Sequence, residues 1–120
     1  MKIAMRAITA ILLSLSVSGW AGAVVTGNQL MEWAPSFKRV TNDAANNNLD
    51  YTQAGELRGY ITGIQDSLER QRLVCVPSQV SQTEVTVIVI EYLEAHSDQW
   101  DEVGLVLVFD SLRRFYSCKQ

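Results

Sequence analysis

This chain of 120 residues is poor in the groups that do chemistry: it has one histidine, two cysteines and two prolines. His96 stands in no HExxH pair and follows no serine in the order a nucleophilic triad needs, so a general base has nothing to activate. Its acidic neighbours Glu91, Glu94 and Asp98 read as a solvated face. Asp98, Asp101 and Glu102 lack the alternating ligand spacing of a calcium loop. Two distant cysteines and a single histidine fall short of a zinc set. There is no phosphate-cradling glycine loop and no basic cluster interleaved with aromatics. These absences exclude an obvious enzyme, and the expectation is no catalytic residue, no metal and no cofactor.

Long apolar runs are missing too. The stretch Ala7–Val17 is too short to span a bilayer, and it is preceded by Lys2 and Arg6 and followed by Ala21-Gly22-Ala23. That order is a secretory signal peptide with an A-x-A cleavage site. No cysteine follows for lipid attachment, and no twin arginine precedes the run. The expected division is therefore a cleaved leader over 1–23 and one domain over 24–120. Two of the ten bases fall in the leader, leaving eight against thirteen acids and a net charge of −5. Such a product repels nucleic acid and anionic lipid, so neither is expected as a partner, whereas a basic protein is attracted. Export also places Cys75 and Cys118 in an oxidising compartment, where an even count reads as one disulfide.

What is present is helical. Thr26 and Gln29 have capping-box spacing, and Leu30, Trp33, Phe37 and Val40 recur at steps of three and four. Pro35 should kink or divide that helix. The polar run TNDAANNN reads as a loop. Asp50 is placed as the cap of a second helix, with Leu57, Tyr60, Ile61, Ile64 and Leu68 as its apolar stripe. Ser81 and Glu84, flanked by Val80 and Val85, open a third helix. Its continuation VTVIVIEYL alternates like a strand, but it runs unbroken into EYLEAH, and the helical reading is preferred. Asp98, Asp101 and Glu102 suit the first turn of a fourth helix. Val103, Leu107, Ser111 and Phe115 mark one face of it. The fold class is all-α, a small bundle of four to five helices with one disulfide.

Two features need a purpose. Gly55, Gly59 and Gly63 lie in one row on the second helix, at a propensity cost of about 1 kcal/mol each relative to alanine. A bare row admits a close neighbour: another helix of the same chain, a second copy across a dimer seam, or a ligand. Trp100 sits among Asp98, Gln99, Asp101 and Glu102. It either folds back to staple the fourth helix or stands exposed as an anchor for a protein partner.

The ordered motifs GYITGIQDSL, VCVPSQVSQTEV, EYLEAH and LVFDSLRRFYSC resemble the Rap/Tai immunity proteins of type VI secretion. The family pattern runs GY-x-x-G-x-x-D, Cys with Pro two later, a helix ending YL-x-x-H-P, then AL-x-x-x-F-P-C. The resemblance covers Gly59 to Cys118. It implies a periplasmic helical homodimer that binds and sterically blocks a peptidoglycan amidase effector. Cys75 and Cys118 match the family's disulfide pair. Gly59, Tyr60, Gly63 and Asp66 match its helix motif. His96, Asp98, Gln99, Trp100, Asp101 and Glu102 fall in an inter-helix loop placed to plug an enzyme cleft. Ser97 replaces the family's proline after His96, and FYSC replaces FPC, adding a residue before Cys118. The alternative class is a periplasmic helical stress chaperone, whose acid trigger would rest on carboxylates.

Overall fold

The computed structural model describes residues 24–119, and the expected leader lies outside them. Four α-helices follow in order: α1 over Gly27–Thr41, α2 over Asn48–Arg70, α3 over Gln82–Ala95 and α4 over Gly104–Tyr116. A single 3-10 turn, Ser97–Gln99, stands between α3 and α4. The all-α expectation holds, and residues 85–90 are helix. No described helix is long and apolar enough to cross a membrane.

The core is built from one face of each helix. Leu30, Ala34 and Phe37 of α1 and Ala54, Leu57, Ile61 and Leu68 of α2 are buried in it, and these two helices share the most extensive helix–helix contact among the described residues. Val85, Val89, Ile90, Tyr92 and Leu93 of α3 and Leu107, Val108 and Leu112 of α4 complete it. The face expected of α4 is rotated: Leu107 and Ser111 are buried, but Val103 and Phe115 are exposed.

Three local expectations are corrected. Helix α1 runs unbroken through Pro35, because burial of Leu30, Ala34 and Phe37 on both sides of it offsets the lost bond. The cap of α2 is Asn47, whose side chain accepts from the Asp50 amide at 3.2 Å. Asp50 itself is buried and accepts from Arg39 at 2.7 Å, from Ser36 at 2.9 Å and from the Asn46 amide at 2.8 Å. The Arg39 guanidinium, helped by the Asn46 amide and Ser36, holds its carboxyl well below the usual carboxylate range, against the opposing effect of burial. The acidic residues expected to open α4 lie ahead of it instead. Asp98 is in the 3-10 turn, while Asp101 and Glu102 precede the first residue, Gly104.

The ends of α1 and α2 close in the same way. Asp43 and Arg72 take left-handed backbone conformations, with φ of 54° and 57°. The Ala44 amide returns to the Arg39 carbonyl at 2.8 Å, and that of Leu73 to Leu68 at 2.9 Å, the 6→1 bond of a Schellman motif. At the third helix start, Ser81 Oγ accepts from the Glu84 amide at 3.1 Å as the capping box requires. Cys75 and Cys118 form the disulfide, with Cα atoms 5.0 Å apart. The Cys75 amide also donates to the Tyr116 carbonyl at 2.7 Å. Extended backbone at Ser117 takes up the residue added before Cys118.

The glycine row packs against none of the described residues. Gly55, Gly59 and Gly63 are exposed, and a Cβ built on any of them meets nothing within 4 Å among the described residues. That removes the intramolecular alternative among them. The close approach occurs at Gly104 instead, where a Cβ would lie 2.6 Å from the Tyr60 hydroxyl.

Candidate functional site

The segment from His96 to Val103 is irregular, exposed and acidic, yet it is held from two sides. From α3, the Tyr92 hydroxyl donates to Gln99 Oε1 at 3.0 Å, and Trp100 Nε1 donates to the Leu93 carbonyl at 2.7 Å. His96 caps α3, and its Nδ1 lies 2.7 Å from the Tyr92 carbonyl. A carbonyl only accepts, so Nδ1 carries the proton there. The His96 ring stacks on Tyr92 at 4.0 Å, and the Arg114 guanidinium lies 4.9 Å from the centre of the same tyrosine ring.

The second brace is the start of α1. A helix begins with amides that have no partner inside it. In α1 the first two are satisfied by the loop: the Gly27 amide donates to the Glu102 carbonyl at 3.1 Å and the Asn28 amide to the Trp100 carbonyl at 2.9 Å. Thr26 makes no side-chain cap, contrary to its capping-box spacing. Asn28 Nδ2 also donates to Asp101 Oδ1 at 2.9 Å. The Gly104 amide donates to the Val25 carbonyl at 2.8 Å, and Thr26 and Val103 form an isolated antiparallel bridge. Gly27 is required by this approach, since a Cβ there would lie 2.8 Å from Trp100 Cα and 2.7 Å from Leu107 Cδ1.

Of the residues picked out in the sequence, Asp98, Asp101 and Glu102 are exposed, while His96, Gln99 and Trp100 are half-buried. Trp100 turns its ring onto the core and spends its N–H on Leu93, so it staples the loop rather than standing out from it. The bracing residues Gly27, Asn28, Tyr92 and Arg114 are not among those singled out. A glycine at the first position of α1 is the signal that was there to be read. Among the described residues, no group of His, Cys, Asp and Glu is placed to hold a metal ion. The arrangement offers carboxylates on a fixed frame, which suits recognition of positive charge.

The fold and this loop define a small, disulfide-closed helical protein that presents a braced acidic segment to its surroundings. Residues 26–118 match the family of Rap1a immunity proteins, and the chain belongs to that family. Its role is that of an immunity protein, which works by binding a toxin. No curated protein and no solved structure matches it.

Proposed function

We propose that the chain is a periplasmic immunity protein that binds a peptidoglycan amidase delivered by type VI secretion and occludes its active-site groove. The observation that carries the reading is the double bracing of the loop. A segment fixed in advance loses little conformational freedom on binding, which favours tight steric inhibition. Asp98, Asp101 and Glu102 face outward from it and complement a basic groove.

The amidase target rests on the motif resemblance over Gly59–Cys118. Periplasmic placement is supported by the leader pattern of residues 1–23 and by a disulfide, which suits an oxidising compartment. A homodimer is supported by the row Gly55, Gly59 and Gly63, whose propensity cost finds no return among the described residues.

The test is co-expression. Candidate amidases are exported to the periplasm with and without the mature chain, and lysis is followed. Neutralisation of one amidase together with a stable purified complex is the expected result. Lysis by every amidase tried, in cells where the chain is folded and oxidised, would sink the reading. In the complex, Asp98→Lys with Glu102→Lys should weaken affinity without altering the melting curve.

A further inference from the structure

The loop cannot be the whole of a binding surface. Stable protein interfaces bury about 800 Å² on each partner and involve roughly 20–30 residues a side. Their centres are apolar and their rims polar. Up to Val103 at its end, the exposed side chains of the loop are carboxylates and a serine, and its aromatic, Trp100, is turned inward. An apolar centre must therefore come from a neighbouring surface.

One adjoins the loop directly. Of the nine large apolar side chains left exposed among the described residues, five gather at the start of α4: Val24, Leu73, Val103, Leu105 and Val106. Val103 is both the last residue of the loop and the cap of α4. The bridge between Thr26 and Val103, with the Gly104 amide on the Val25 carbonyl, holds the backbone that leads into α1 against the start of α4 and so places Val24 beside it. Leu73, Leu105 and Val106 open on a cleft of about 290 Å³ whose floor includes Leu68 and Phe109. Leu105 and Val106 are 48% and 43% exposed, far from the core burial of Leu107 and Val108 on the same helix.

We propose that this apolar shoulder, centred on Val103, Leu105 and Val106, is the second half of the toxin-binding surface. The acidic loop forms its rim. The partner surface this fits carries an apolar patch beside a basic one. The inference rests on the toxin-binding reading above. Continuity selects the occupant: a protein seated on Asp101 and Glu102 overhangs Val103, and with it Leu105 and Val106.

The probe is the purified amidase that the mature chain neutralises in the co-expression assay. Its dissociation constant is measured for the wild type, for Leu105→Ser with Val106→Ser, and for Asp98→Lys with Glu102→Lys. The shoulder variant is expected to bind about tenfold more weakly or worse, with the free chain's sedimentation unchanged. Val106→Thr, nearly isosteric at an exposed position, must weaken binding in the same direction and serves should the double variant unfold. Shoulder variants within twofold of wild type, alongside a loop variant that loses affinity, overturn the shoulder and leave the immunity reading intact. A shoulder variant that changes the oligomeric state of the free chain also overturns it, because the occupant is then a second copy. If no amidase is neutralised by the wild type, the immunity reading fails first and the shoulder falls with it.

Discussion

Tyr92 and Gln99 lie seven residues apart and are joined by a 3.0 Å hydrogen bond from the tyrosine hydroxyl to the glutamine Oε1. The bond ties the last turn of α3 to the 3-10 turn of the acidic loop. Tyr92→Phe removes the hydroxyl and keeps the ring that stacks on His96 and lies under Arg114. The expected cost is about 1 kcal/mol of stability. Hydrogen exchange should quicken at the Glu102 amide, which donates to the Gln99 carbonyl, and leave the core of α2 unchanged.

Asp50 makes stability depend on acid. Its folded-state pKa lies well below the unfolded value of about 3.9. A depressed carboxylate stabilises the fold fully above the unfolded pKa, and this stabilisation is lost as pH falls toward the folded one. Stability to denaturant should therefore decline below about pH 4 to 5. Asp50→Asn should lower stability at pH 7 and flatten that decline. Equal slopes for the two proteins would show that other carboxylates govern it.

The exposed glycines give opposite expectations for one chain and for two. Alanine at Gly55, Gly59 or Gly63 meets no neighbour, so each should stabilise the isolated chain by roughly 1 kcal/mol. Across a dimer seam the same methyl groups hold the copies apart. Sedimentation of Gly59→Ala beside its denaturation curve separates the two effects.

Arg72 holds a left-handed conformation, φ 57°, at the end of α2. Glycine bears that geometry without the Cβ clash. Arg72→Gly should raise stability by about 1 kcal/mol, measured as a shift in denaturation midpoint at unchanged slope.

The disulfide closes a separation of 43 residues between the end of α2 and the end of α4. Chain entropy gives such a closure about 4 kcal/mol. Replacing both cysteines by alanine should remove most of that from the free energy of unfolding. Wild-type protein kept in reductant should match the variant.

Helix order was legible because apolar residues recur at steps of three and four, and Ser81 with Glu84 settled a stretch whose β-branched residues read as strand. The position of the glycine row was legible as well. Gly59 is two residues from both Leu57 and Ile61, and at 100° per residue it lies nearly opposite the buried stripe. Other features depend on contacts that no local pattern encodes. Which carbonyl receives the Trp100 indole is decided by where Leu93 lies in the folded bundle. The pairing of Asn28 with Asp101 spans 73 positions. Pro35 reads locally as a break, yet packing on either side of it keeps α1 whole. The acidic residues read locally as a helix start, but the amides of α1 claim the carbonyls of Trp100 and Glu102 and hold that segment as a loop.

Those claims are made by main-chain atoms. The amides of Gly27, Asn28 and Gly104 bond to the carbonyls of Glu102, Trp100 and Val25, and none of these bonds requires a particular side chain at Asp98, Asp101 or Glu102. In the proposed role, shape and specificity are thus written in different atoms of the same segment. On that proposal, a lineage facing an altered toxin could rewrite Asp98 and Glu102 and keep these main-chain bonds, while a change at Asp101 also gives up the bond from Asn28. Gly27 has no such freedom, because any larger residue there strikes the backbone of Trp100.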